Sequence, residues 1–213
     1  MTIARPTSPR LVVRLLLIGA ALVLAALGTV TAVAPANAAP LRPVASLDPA
    51  RYLGQWWQLA TVPSFYGVRC ARDTNATYTK INDTTIGVNN RCTSFTGMSD
   101  GIKGQAKIVD PVTKAQLVVS FPGIPFTVNP GNTPNYIVSY VEDGDSPTAP
   151  YQYAIVGDPT RSSGFLLSRD KVVPTSELRR LRTKIESVGF NPCTFLISPT
   201  TGGRSDYSPL CLV

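Results

Sequence analysis

Residues 52–65 read YLGQWWQLATVPSF, and the fold turns on this stretch. It holds both tryptophans of the chain, Trp56 and Trp57, the first of them two residues past Gly54. Aromatic and aliphatic residues run from Gln55 to Thr61 and give out at Pro63, as in a strand bounded by a turn. Neighbouring side chains on a strand point to opposite faces, so the two indoles must serve different surfaces. If Trp56 faces inward, Gln58 and Ala60 share its face and Trp57 points outward.

Similar runs follow at 75–81 (NATYTKI), 85–90 (TIGVNN), 104–109, 115–121, 136–141, 151–156 and 164–168. Gly, Pro, Asn and Asp divide them, with a turn expected at Asn82-Asp83. In 115–121 (AQLVVSF), Leu117, Val119 and Phe121 share one face. The Pro-rich segment 121–134 reads as a long loop. One helix stands out at 175–188. Thr175 or Ser176 can cap it, Glu177 lies in its first turn, and Gly189 suits its C-terminal stop. Leu178, Leu181, Ile185 and Val188 form its apolar stripe. Arg179, Arg180, Arg182 and Lys184 lie on the other face, which reads as solvated surface, with an anionic membrane or acidic partner as the alternative. A short strand at 194–198 precedes a Gly/Ser/Pro-rich tail. The pattern predicts an all-β fold, an eight-stranded antiparallel up-and-down barrel over about 52–170 with one C-terminal helix and a ninth short strand in 194–213. Closure leaves no exposed edge, and eight strands leave room inside for one small ligand.

Residues 1–38 carry Arg5, Arg10 and Arg14, an apolar run over 11–33, and the small-x-small triplet Ala36-Asn37-Ala38. This is the pattern of a cleavable signal peptide, leaving 39–213 as a single secreted domain. The apolar run is also long enough to span a bilayer, so a retained anchor is the alternative. After cleavage, 17 basic and 13 acidic residues leave a mild charge of +4. No basic stripe interleaved with aromatics appears, which argues against nucleic acid as a partner. Four cysteines in an exported chain suggest two disulfides, and their spacing fits no zinc motif. The chain has no histidine. That excludes Ser-His-Asp and Cys-His catalysis, histidine-ligated haem and most zinc sites, so no cofactor or metal is expected.

Residues 48–56 (DPARYLGQW) resemble the opening of a lipocalin, a short 3₁₀ turn followed by G-x-W on the first strand. Ala76-Thr77-Tyr78, 88–92 (VNNRC), 154–159 (AIVGDP), 165–169 (FLLSR) and Gly189-Phe190 fit the same family. The resemblance covers about 43–203 and is strongest to the bacterial lipocalin and apolipoprotein D branch. It implies a calyx whose closed end is plugged by Trp56, with Arg169 across the indole and Gly54 letting the backbone pass. It also implies that Tyr78 and Asn90 face inward and that Phe165 holds a position kept aromatic in relatives. Two features depart from the family: a longer acidic loop at 140–150 (YVEDGDSPTAP) replaces a second T-D-x-Y-like motif, and no lipid-anchor cysteine follows the apolar run.

Parity and resemblance together give a lumen lined by Gln58, Ala60, Tyr78, Val88, Asn90, Ala106, Ile108, Leu117, Val119, Phe121 and Phe165. An apolar cup with a few polar groups suits an acyl chain, sterol or isoprenoid. Trp57 is expected under the helix. Ser64-Phe65-Tyr66-Gly67 and Gly123-Ile124-Pro125-Phe126 are candidates for the rim, with peripheral membrane contact. A hairpin turning at Asn82-Asp83 brings Cys70 and Cys92 to one end of the barrel, which favours Cys70–Cys92 with Cys193–Cys211. The rival partition is Cys70–Cys211, as in some relatives, with Cys92–Cys193. The expected function is an exported, non-enzymatic carrier of a fatty acid, lysophospholipid, sterol or isoprenoid. The alternatives are an enzyme using Cys92 in the lumen and an interaction protein with a filled barrel.

Overall fold

The computed structural model describes residues 39–124 and 132–213. The expected signal peptide, residues 1–38, and Pro125 and Phe126 of the expected rim, lie outside the described residues.

Asp48 opens the barrel's preamble. Its carboxylate accepts from the Ala50 amide at 2.9 Å and caps a one-turn helix, α1 (Pro49–Tyr52). Proline at the first helical position is pre-set for the required φ. Eight antiparallel strands follow: β1 (Gly54–Thr61), β2 (Cys70–Lys80), β3 (Thr85–Ser94), β4 (Ser99–Ile108), β5 (Gln116–Ser120), β6 (Tyr136–Glu142), β7 (Tyr153–Gly157) and β8 (Gly164–Ser168). Each pairs with the next, and β1 pairs with both β8 and β2, which closes the cylinder. Helix α2 (Thr175–Ser187) and β9 (Leu196–Ile197) complete the chain.

Two strands begin earlier than their residue pattern predicts. The segment 99–103 (SDGIK) is no strand former on its own, but it lies in continuous register with β3, from Thr93 opposite Ser99 to Asn89 opposite Lys103. In β2, the start at Cys70 is irregular. Its register against β3 shifts twice before Asn75, and Asp73 sits at a φ of 58°.

The wall separates two apolar clusters. Inside lie Trp56, Tyr78, Val88, Leu117, Val138, Val156 and Leu167. Outside, Leu59, Ile155 and Leu166 pack against Leu178, Leu181 and Ile185 of α2, with Phe190 and Phe195 beside them. In β7 both faces are buried.

Several expectations about α2 and its surroundings need correction. The helix is capped by neither Thr175 nor Ser176. Its N-cap is Pro174, in extended conformation and without a side-chain bond. The basic face is not simply solvated: Arg180 reaches both Glu142 oxygens at 2.8 Å and also pairs with Glu177. Arg182 donates to the carbonyls of Cys211 and Val213 at 3.2 and 3.0 Å. Those two arginines are engaged within the chain, which leaves Arg179 as an exposed member of that face. Trp57 points outward but is not part of the cluster beneath α2. Its ring instead carries Lys171, whose Nζ lies 4.9 Å from the ring centroid.

Cys70 is bonded to Cys92 and Cys193 to Cys211, so no cysteine is free. The first of the two expected partitions is the one found. The β1–β2 ladder covers only Gly54–Trp57. Where β2 leaves, β9 takes its place, pairing Ile197 with Ala60 and Leu196 with Thr61. Beyond it, the Asp73 amide donates to the Pro199 carbonyl at 2.9 Å. The Asp73 carboxylate accepts from Thr201 N at 2.8 Å, Thr201 Oγ1 at 2.7 Å and Lys171 Nζ at 2.8 Å.

Candidate lumen site

The floor of the barrel is built from the G-x-W stretch. Trp56 is fully buried, and its Nε1 donates to the Tyr52 carbonyl at 2.8 Å. The Arg169 guanidinium lies 3.8 Å from the centre of the indole. Its Nε, Nη1 and Nη2 donate to the carbonyls of Tyr151, Gln55 and Arg51 at 2.9, 2.8 and 2.9 Å. Burial pulls the Arg169 pKa down to about 10, so it stays charged at neutral pH. A desolvated cation over a tryptophan is worth about 2 kcal/mol. Gly54 has a φ of 94°, and a Cβ there would stand 3.2 Å from Arg169 Nη1. Both the left-handed backbone and the close guanidinium require glycine.

Three tyrosines meet above the floor. The rings of Tyr52 and Tyr78 stack with centroids 5.6 Å apart. The Tyr136 hydroxyl lies 2.7 Å from Tyr52 Oη and 3.1 Å from Tyr78 Oη. Burial raises the pKa of all three, well above the ordinary phenol value for Tyr52 and Tyr136. They are neutral hydrogen-bonding groups at any physiological pH.

Most residues expected in the lumen lie on the inner face. Tyr78, Val88, Ala106 and Leu117 are buried there, and Ile108, Val119, Phe121 and Phe165 are half-buried against them. Phe121 fills the place of an absent side chain, since a Cβ on Gly104 would come within 2.5 Å of its ring. Asn90 is opposite Ala76, an inner-face residue. Gln58 is opposite Leu167, also inner, but its amide is tied to the tail through a 2.7 Å bond to Ser198 Oγ.

Ala60 is the exception. It belongs to the outer cluster, opposite Leu166 and Ile197. The register of β1 against β8 shifts between Gln58 and Ala60, and a bulge of one residue reverses the parity of everything beyond it. The sequence reading missed Tyr52, Tyr136, Val138, Val156 and Leu167, all in or against the inner cluster. Alternation would have found Tyr136 with Val138, and Leu167 with Phe165. Tyr52, four residues before Trp56 on α1, has no strand parity to read.

At the open end, Phe65 is exposed, as are Val68 in the same loop and Phe95 and Met98 in the β3–β4 turn. Cys92 is held by Cys70, so the lumen-cysteine enzyme has no thiolate to use.

A family model described as a lipocalin-like domain matches residues 47–200. The chain belongs to the lipocalin family. This lipocalin is 34% identical over 149 residues to temperature-induced lipocalin-1 of Arabidopsis thaliana, a match covering 70% of this chain and 76% of that protein. It is 29% identical over 153 residues to putative lipocalin R877 of Acanthamoeba polyphaga mimivirus, covering 68% and 80% of the two chains. Among solved structures, lobster apocrustacyanin A1 superposes with a TM-score of 0.52 at 14% identity, over 78% of this lipocalin and 93% of that chain. Per a 4, a major cockroach allergen, gives a TM-score of 0.54 at 12% identity, over 78% and 96%. These two likenesses concern the fold. What the site offers chemically is a closed floor, an apolar wall and a few neutral polar groups, a setting for reversible burial of a ligand.

Proposed function

We propose that this lipocalin is an exported carrier that binds one small hydrophobic molecule in its lumen. The observation that carries the reading is the inner wall. Its buried cluster is apolar apart from tyrosine hydroxyls, is closed below by Trp56 and Arg169, and gives way to half-buried Val119, Phe121 and Phe165. Such a wall gains about 25 cal/mol for each Å² of ligand surface taken from water, less the costs of association. The ligand-contacting set is Tyr78, Val88, Asn90, Ala106, Ile108, Leu117, Val119, Phe121 and Phe165. Export is supported by the character of residues 1–38 and by two disulfides, which persist in oxidising compartments. A place in the bacterial and apolipoprotein D branch rests on the sequence motifs.

The test is native mass spectrometry of the purified protein, with organic extraction of whatever co-purifies, followed by quenching of Trp56 and Trp57 fluorescence with a fatty-acid series. A bound mass or saturable quenching is expected, and Tyr78→Arg should abolish both while leaving the far-ultraviolet circular dichroism unchanged. Unchanged affinity in that variant would refute binding in the lumen.

A further inference from the structure

The outside of the barrel is covered on one side. The apolar layer under α2 draws its strand residues from β1, β6, β7, β8 and β9, and none of its members comes from β2, β3, β4 or β5. On β3 and β4 the outer side chains are polar. Directly opposed residues share a face. Asn89 opposes Lys103, Gly87 opposes Gln105 and Thr85 opposes Lys107. These pairs alternate with Val88–Gly104 and Ile86–Ala106, whose side chains belong to the inner cluster, so they point outward. Arg91 opposes Gly101 on the same outer face. A Cβ on Gly101 would stand 3.1 Å from Arg91 Cγ, so the arginine stem leans across onto β4 over the place of the missing side chain.

The outer side of β4 therefore presents Arg91, Lys103, Gln105 and Lys107 in order, all four exposed. A strand rises about 3.3 Å per residue, so the three cations span about 20 Å in one column. No acidic residue occupies an outer position of β3 or β4. Among the described residues none of the three cations is in an ion pair. The acids closest along the chain are engaged at the strand ends: Asp83 with Lys80 at 2.7 Å, Asp100 with Arg69 at 2.9 Å and Asp110 with Gln116 at 3.1 Å. Unpaired like charges fixed on a rigid sheet attract a polymer of the opposite sign.

The chemistry of the face selects among polymers. It carries no aromatic ring on β3 or β4 on which a nucleobase could stack. Three cations fall short of the four to eight of a polybasic lipid site, and the outer positions of β4 hold no apolar side chain to enter a bilayer. What flanks the cations is amide and hydroxyl, from Gln105, Asn89 and Thr85, groups that hydrogen-bond a polyhydroxylated chain. The charges are spaced singly along the column, which matches a chain bearing one charge per unit. We infer that the outer face of β3 and β4 is a docking surface for a linear, carboxylate-bearing polysaccharide, with Arg91, Lys103 and Lys107 as its charge contacts. The surface lies outside the barrel, so the inference does not rest on the carrier reading.

The test immobilises polygalacturonate and reads binding of the purified protein by biolayer interferometry at low salt, with neutral dextran as the blank. Saturable binding that weakens as salt rises is expected. The triple variant Arg91→Gln, Lys103→Gln, Lys107→Gln should bind about tenfold more weakly, the combined worth of three exposed ion pairs. A control with the same change in net charge on other surfaces, Arg42→Gln, Arg179→Gln, Lys184→Gln, should stay within about twofold of the parent. A second readout needs no variant: in the parent protein polygalacturonate should shield Lys103 and Lys107 from acetylation while Lys184 reacts as before, read by peptide mass spectrometry. Equal weakening in the two variants, no shielding of the two lysines, or failure to bind polygalacturonate overturns the inference. Tighter binding of single-stranded DNA or of phosphatidylserine vesicles than of polygalacturonate also overturns it. Quenching by a lumen ligand should be the same in the triple variant as in the parent, so the two readings fail separately.

Discussion

The two faces of the barrel wall are made by the same strands and serve opposite ends. On β7, Ala154 and Val156 look into the lumen while Tyr153 and Ile155 look out, and all four are buried. The outer face is sealed: α2 lays Leu178, Leu181 and Ile185 over it, and Phe190 and Phe195 meet edge to face with ring centres 5.2 Å apart. Among the described residues the inner face is sealed at the floor by Trp56 and Arg169, and Val119, Phe121 and Phe165 remain half-buried. Both faces carry tyrosines, Tyr52, Tyr78 and Tyr136 inside and Tyr140 and Tyr153 outside. A fully packed layer holds the fold, and an incompletely packed one leaves surface for a ligand.

Substitution should separate the two faces. Leu181 is fully buried, and Leu181→Ala should cost about 3 kcal/mol in urea unfolding. Val119→Ala, at a half-buried inner position, should cost about 1 kcal/mol or less but shift the affinity of the folded protein for a lumen probe. Equal stability losses, or a binding change in Leu181→Ala alone, would break the distinction. Gly54→Ala comes next. It forces a side chain into a left-handed backbone beside Arg169 and should cost about 2 kcal/mol, with the indole emission of Trp56 shifted as the guanidinium moves.

The smallest effect lies at the β7–β8 turn, where both faces end. Asp158 accepts from Thr160 N, Thr160 Oγ1, Ser162 Oγ and Ser163 N at 2.7, 2.6, 2.8 and 2.5 Å. Burial works to raise its pKa, but these bonds prevail and hold it at about 2, against an ordinary 3.8. A depressed folded-state pKa means that the stabilisation is complete above the unfolded value and fades as pH falls through the folded one. Stability should therefore decline between about pH 4 and pH 2, and Asp158→Asn should flatten that decline in urea midpoints. An identical slope in the variant would place the acid sensitivity elsewhere.

The floor was legible in the sequence because local rules govern it. Gly54 and Trp56 are two residues apart on one strand, and the resemblance supplied Arg169 as their partner. Period-two alternation placed Leu117, Val119 and Phe121 on the inner face. What was not legible depended on partners distant in the chain. Ala60 reverses its face because β1 bulges against β8, a mismatch that neither strand carries alone. Tyr52 lies on the short helix before β1, where there is no strand parity to read, and only closure brings its hydroxyl to 2.7 Å from that of Tyr136. The basic face of α2 looked free until folding brought Glu142 and the C-terminal carbonyls to it.

The handover from β2 to β9 has a further consequence. Near the mouth, main-chain pairing no longer runs unbroken around the cylinder; Asp73, Thr201 and Lys171 join its two margins like a buckle. The tail and the β2 bend are thus fastened chiefly through one residue, Asp73, whose carboxylate takes three donors and whose amide holds the Pro199 carbonyl, outside the ladders themselves.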